Sequence, residues 1–309
     1  MAESILDLSW TDLFVGQRNF YLKGMPGQEG DLVRAPEECA NELGRIREEL
    51  EKFEARDFQY VWGPESFRTA RMDTVGEQCY VLRRAQREVL PLRDLGYPKV
   101  VRNILCSPRK MPAGLVVFAG RTGSGKTTSA SGFIRERLEH AGGHAVTIED
   151  PPEMPLHGEY SRGLCFQREL HHTEFGQGVV DAMRYGSPDI IMLGELREPH
   201  AVSEALRAAI NGHLIVATIH TPGVETTVQR LYSLAYAHEG PGAASLLAEG
   251  ISGIVHQSLR DKEVGPELEV LFVPFGDEGR GIRSKIRENK FHQLNSDIQD
   301  QQNRLFLEL

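Results

Sequence analysis

Eight consecutive residues, Gly120-Arg121-Thr122-Gly123-Ser124-Gly125-Lys126-Thr127, place glycine, lysine and threonine at the spacing GxxxxGK[ST]. Glycines tolerate the backbone angles of a concave nest, so successive N–H groups there can curl around phosphate oxygens. Lys126 adds a point charge for the β/γ-phosphates, the Thr127 hydroxyl can hold Mg²⁺, and the helix expected to start here turns its positive end toward the same anion. Gly120, Thr122, Gly123, Ser124, Gly125, Lys126, Thr127 and Thr128 are therefore the candidate binding residues for ATP with Mg²⁺.

Further chemistry ends three more apolar runs. The run at 145–148 leads into Glu149-Asp150-Pro151-Pro152-Glu153, that at 190–193 into Gly194-Glu195-Leu196-Arg197, and that at 214–218 into Ile219-His220-Thr221. Short apolar runs alternating with helical periods predict an α/β fold with a parallel or mixed sheet covered on both faces. Ligands of such sheets bind beyond the carboxyl ends of the strands, so all three endings should face the phosphate loop. A carboxylate beside a triphosphate either holds Mg²⁺ or orients the attacking water. Glu195 is the first choice for the water, with Glu149 and Asp150 as metal and water positioners; each alone would pass as a surface or structural group, as would His220.

The elements that must position these residues occupy 309 residues with 40% hydrophobic content, enough for one or two cores. A formal charge of −9 disfavours nucleic acid as the main partner. Cys39, Cys79, Cys106 and Cys165 form no CxxC pair and read as reduced structural thiols. Residues 1–4 do not open a basic and then apolar leader, and no run reaches eighteen uncharged apolar residues, so a soluble, cytoplasmic chain is expected. Residues 1–34 give mixed signals, either a weakly ordered entry segment or an edge strand. Residues 36–55 carry an amphipathic helical period, and 58–62, 67–73 and 78–83 read as strands. Proline and glycine at 90–98 mark a linker, giving an N-terminal α+β domain with its linker at 1–95 and a nucleotide domain with C-terminal helices at 96–309.

The phosphate loop, TIEDPPE at 147–153, Gln167-Arg168-Glu169, the segment 187–198 and the histidine-bearing segment 212–221 resemble the hexameric ATPases of type II secretion and type IV pilus systems. The similarity is strongest to the PilT-type pilus retraction ATPases and runs through residues 115–235. It implies a RecA-like P-loop core behind a smaller PAS-like α+β domain, assembled as a homohexamer. Glu195 would be the Walker B glutamate, with Gly194 standing where other P-loop enzymes carry aspartate. Glu149 would be a catalytic glutamate and His220 a γ-phosphate contact. Arg68, Arg83 and Arg168 would stabilise charge at the γ-phosphate, across a subunit boundary. ATP hydrolysis would power pilus retraction through an inner-membrane platform protein, the motor remaining peripheral to the membrane with no direct contact to nucleic acid. The alternatives are a type IVB or conjugative secretion ATPase and a nucleotide-gated regulatory ring with little turnover.

A paired CxxC zinc insert and a long N-terminal extension, both marks of many extension and secretion relatives, are expected to be missing. Residues 281–289, GIRSKIREN, are similar to the retraction ATPases' AIRNLIRE element; Ile282 and Ile286 are expected to pack a helix there, and Arg283 to couple hydrolysis to filament movement. Residues 240–270 resemble the family's helical subdomain, and the family's usual final helix is not expected before Leu309.

Overall fold

The computed structural model describes residues 4–84, 88–259 and 265–306. Residues 85–87 of the expected N-terminal region, 260–264 of the expected helical subdomain and the chain ends at 1–3 and 307–309 lie outside the described residues. The chain divides into two compact units, Met1–Glu88 and Val89–Leu309.

In the first unit β1 (Asp12–Val15), β2 (Phe20–Met25), β3 (Gln28–Arg34), α1 (Ala40–Leu50), β4 (Asp57–Trp62), β5 (Glu65–Asp73) and β6 (Gln78–Arg84) follow in order. The strands form one antiparallel sheet in the order β3-β2-β1-β6-β5-β4. Residues 12–34 thus supply three strands, with β1 inside the sheet, rather than a loose entry segment. Leu13 and Val15 alternate into the core beside Leu22 and Leu82, and the glycine- and proline-bearing stretch holds a hairpin turn in which Gly27 adopts φ +77°. Leu43, Ile46 and Leu50 of α1 fill the core of this unit with Phe58, Tyr60, Phe67 and Tyr80.

The second unit contains α2 (Lys99–Leu105), β7 (Gly114–Ala119), α3 (Lys126–His140), β8 (Gly143–Glu149), β9 (Gly158–Glu159), β10 (Gly163–Glu169), α4 (Phe175–Ala182) and β11 (Ile190–Leu193). It continues through α5 (Pro199–Ile210), β12 (Leu214–Ile219), α6 (Val224–Glu239), α7 (Ala243–Gly250), β13 (Ile251–Ser258), β14 (Glu267–Phe272), α8 (Arg280–Arg287) and α9 (Leu294–Phe306). Its sheet runs β14-β13-β7-β12-β11-β8-β10-β9, parallel from β13 to β10 with an antiparallel strand at each edge. Every residue of β7, β11 and β12 is buried, because alternate side chains enter opposite cores. Val117, Ile191 and Ile215 pack with residues of α5, α6 and α7, whereas Val116, Phe118 and Val216 pack with Val101 of α2 and Phe133 of α3.

Four segments differ from the sequence-based expectations. Residues 89–95 pack in the second unit: Val89 and Leu92 are buried with Phe133 and Ile134, and the Arg93 N–H donates to Glu136 at 2.9 Å. Only glycine fits at position 132 of α3 beneath this strap, since a Cβ there would lie 2.5 Å from the Leu90 carbonyl oxygen. The expected helical stretch 240–270 breaks after α7 into β13 and β14, because a strand buried on both faces reads as a continuous apolar run like a buried helix. Residues 163–169, which lie between the apolar runs read as strands, form a further strand, β10. A final helix is present in α9, where Gln301 pairs both ways with the backbone of Phe272 and satisfies the outer edge of β14.

In α8 the two isoleucines pack as expected, Ile286 completely. Arg283 does not project outward: it is 7% exposed, donates to the carbonyl oxygens of Pro274 and Val273 at 2.5 and 3.3 Å, and lies against the Phe275 ring. Its role is to fasten α8 to the end of β14, which corrects the expectation of a coupling surface. Arg283→Ala strands two carbonyls and should cost about 1–3 kcal/mol, lowering the melting temperature by several degrees. An unchanged melting curve would show that the arginine carries no structural load.

Candidate functional site

β7 delivers the chain to the phosphate loop with Ala119 still buried. Gly120 then turns at φ +150°, where a Cβ would sit 2.4 Å from the Gln257 carbonyl oxygen and 2.5 Å from Ser124 Oγ, so no larger residue fits. At Gly123, φ is +79° and no atom lies within 4 Å of a built Cβ, leaving its backbone open toward a ligand. Ser124 Oγ is buried with no hydrogen-bond partner. An orphaned hydroxyl, an open nest and a helix N-terminus together fit an anion, and the half-buried Thr127 hydroxyl in the first turn of α3 suits a hard cation beside it.

Lys126 lies in the same turn, only 6% exposed, with its ammonium 3.0 Å from the Arg121 carbonyl oxygen and 3.3 Å from His220 Nδ1. Burial pushes its pKa down, with Glu195 and Glu153 acting in the opposite sense. Since an ammonium only donates, His220 Nδ1 accepts and the imidazole proton falls on Nε2. That atom is 3.6 Å from Glu195 Oε2, which in turn accepts from Arg197 Nη2 at 2.5 Å. The hydrogen bond from Arg197 ties the two charges together and raises the arginine's own pKa. Thr122 Oγ1 lies 3.5 Å from the same His220 nitrogen, at the limit of a hydrogen bond.

Strand order explains this line of groups. β12 and β11 are the successive neighbours of β7 on one side, each contributing its carboxyl end at about 4.8 Å intervals. His220 is thus one strand from the loop and Glu195 two. Glu149, three strands away, is 1% exposed; its Oε1 accepts from Thr147 Oγ1 at 2.6 Å and Gln167 Nε2 at 2.9 Å. Its chain also backs Gly194, where a Cβ would lie 3.4 Å from Glu149 Cα. Asp150 accepts from the backbone N–H of His172 at 2.7 Å and faces its Nδ1 at 3.0 Å. Partial burial works to raise the Asp150 pKa, but the two His172 contacts prevail and hold it below the usual carboxylate range.

Arg168, four strands from β7, stands roughly 19 Å from the loop by strand spacing, beyond the reach of its own side chain. Its guanidinium lies 5.0 Å over the Tyr185 ring and one of its nitrogens is buried without a partner. Arg68 and Arg83 are cross-strand neighbours on β5 and β6 in the first unit, where Arg83 pairs with Asp12 at 2.7 Å.

Sequence reasoning missed Gln257. It is buried on β13, where Nε2 donates to the Ser124 carbonyl oxygen and Oε1 accepts from the buried Tyr97 hydroxyl, both at 2.5 Å. The phosphate loop is thereby tied to the neighbouring strand and to the strap. A lone glutamine ending the run Ile251-Ser252-Gly253-Ile254-Val255-His256 was the available signal, hidden once that run was read as helix.

Residues 62–274 match the family of type II/IV secretion system proteins. A twitching motility protein of Neisseria gonorrhoeae is 36% identical over 239 residues, 75% of this chain and 61% of that protein. The type IV pilus retraction ATPase PilT of Pseudomonas aeruginosa is 33% identical over 256 residues, 82% of this chain and 72% of that protein. Among solved structures, the pilus retraction motor PilT with bound ADP superposes with a TM-score of 0.74 at 27% identity, over 95% of this chain and 87% of that one. The ATPase DotB of Legionella pneumophila gives 0.72 at 24% identity, over 94% and 84%, a likeness of fold. The architecture is a RecA-like P-loop core preceded by a smaller α+β domain. No helix among the described residues is long and apolar enough to cross a membrane.

Burial pushes the Glu149 carboxyl up, against the opposing bonds from Thr147 and Gln167. A carboxyl whose folded-state pKa is raised contributes its stability below the unfolded pKa and loses it as pH rises through the folded one. Glu149→Gln should therefore melt near the wild type at acid pH and gain on it as pH increases above the usual carboxylate range. Thermal melts across that range check this; an offset independent of pH would contradict it.

Proposed function

The chain belongs to the type II/IV secretion system protein family, and from that premise we propose that it is an ATPase motor, hydrolysing ATP to ADP and phosphate to power type IV pilus retraction. The observation that carries this reading is the line from Lys126 through His220 and Glu195 to Arg197 across three adjacent strand ends. Backbone N–H groups of residues 120–127 and the Lys126 ammonium take the phosphates of ATP. Thr127 holds Mg²⁺, which supplies charge neutralisation at the β- and γ-phosphates. Glu195 orients the water and accepts its proton as the bond to the γ-phosphorus forms and the bond to the β–γ bridging oxygen breaks, leaving phosphate and ADP.

His220, held between Lys126 and Glu195, contacts the γ-phosphate and registers its presence. Glu149 is engaged by Thr147 and Gln167 and Asp150 by His172, so ligation of the nucleotide's Mg²⁺ by either would require its side chain to leave those partners and turn to the loop. In the closed arrangement both act by orienting the strand ends around Gly194. Arg68, Arg83 and Arg168 stabilise γ-phosphate charge in a neighbouring subunit's site, within a homohexamer that works against an inner-membrane platform protein of the pilus system. The reach of Arg168 along the sheet supports a contact in trans.

Lys126 contacts phosphate already in the ground state, whereas Glu195 acts on the water. Lys126→Ala should weaken ATP binding about tenfold or more, while Glu195→Gln should bind ATP near normally and lose roughly 100-fold in turnover. Binding, phosphate release and the mass of the ATP-bound assembly, expected at six chains, are read on folded protein. Near-normal turnover by Glu195→Gln would remove it as the base; a monomeric active species would remove the shared site.

A further inference from the structure

We infer that Asp150, His171 and His172 form a binding site for a transition-metal dication of the zinc class, separate from the Mg²⁺ that accompanies the nucleotide. One ligand atom from each residue lies within 4.8 Å of the others, and this is the only such group of three among the described residues. His172 Nδ1 and Asp150 Oδ2 are 3.0 Å apart. Two ligands each about 2.05 Å from a shared ion would subtend roughly 95° at that separation. The third ligand comes from the His171 ring, tilted against His172 with centroids 4.2 Å apart and planes inclined by 40°.

The surroundings also orient these donors. The His172 backbone N–H holds the Asp150 carboxylate at 2.7 Å, and the Thr173 hydroxyl, 2.8 Å from His171 Nδ1, orients that ring. Two imidazoles and one carboxylate suit zinc, cobalt or nickel with water completing the shell, whereas Mg²⁺ prefers oxygen ligands throughout. Elsewhere the His200 and His238 rings approach to 5.1 Å, but no third donor completes that pair among the described residues. The ion would join the end of β8, directly after Glu149, to the turn between β10 and α4. The inference rests on donor geometry alone and stands whether or not the chain hydrolyses ATP.

The full chain, stripped of metal with a chelator and free of nucleotide, is titrated with Zn²⁺ by calorimetry and with Co²⁺ by visible absorption. The expected result is one saturable site per chain, with a Co²⁺ spectrum of nitrogen and oxygen ligation. His171→Ala and Asp150→Asn should each weaken Zn²⁺ binding roughly tenfold or more, whereas His200→Ala should leave it unchanged. His171 is exposed, and its ring meets only the Thr173 hydroxyl and the His172 ring among close side-chain contacts of the described residues, so His171→Ala should keep the metal-free melting temperature. Absence of saturable binding, binding that survives both His171→Ala and Asp150→Asn, or a thiolate band in the Co²⁺ spectrum would overturn the inference.

Discussion

Lys126, a lysine only 6% exposed at the open end of a parallel sheet, its ammonium resting on a carbonyl oxygen and an imidazole nitrogen, is the constraint around which the second unit is arranged. Its partners are one carbonyl and one imidazole nitrogen, and burial lowers its pKa, so the charge is satisfied only in part. Phosphate oxygens arriving in the nest would supply the missing negative charge. A nucleotide site built this way gains more from its anion than an exposed lysine would, because the cation has already left most of its water.

The other features hold that lysine in place or read its state. Gly120 and Gly123 let the loop double back, while Gln257 anchors its carbonyl side to β13 and through Tyr97 to the strap over α3. Arg102 and the Arg93 backbone both engage Glu136 on α3, fixing the helix whose first residue is Lys126. On the other side, β12 sets His220 beside the ammonium and β11 sets Glu195 beyond it. One imidazole ring thereby stands between the ammonium and the carboxylate. Gly194 sits against Glu149, where a Cβ would make ordinary van der Waals contact with the glutamate backbone and side chain.

Much of this was legible in the sequence. The phosphate loop and the four strands β7, β8, β11 and β12 declare themselves through apolar runs ending in polar residues, and the rule that ligands bind beyond strand ends gathers Glu195 and His220 to the loop. Periodicity also reveals α1, β4, β5 and β6. Illegible were segments whose pattern is ambiguous by nature: β13 is buried on both faces and so has no alternation, and β1 to β3 are interrupted by turn residues that imitate a loop. Long-range partners were equally hidden. Nothing local in Arg283 indicates that its guanidinium fastens β14 rather than meeting solvent, and nothing in Gln257 indicates that its amide reaches a loop more than a hundred residues earlier.

The most direct test is a structure of the chain with Mg²⁺ and a non-hydrolysable ATP analogue. The account predicts that Lys126 Nζ leaves the Arg121 carbonyl and His220 Nδ1 for the β- and γ-phosphates, at about 2.8 Å. It also predicts Ser124 Oγ within hydrogen-bond reach of a phosphate oxygen, and His220 with Glu195 flanking the γ-phosphate. A nucleotide seated away from residues 120–127, or a Lys126 ammonium still resting on Arg121 and His220 beside bound phosphates, would contradict it.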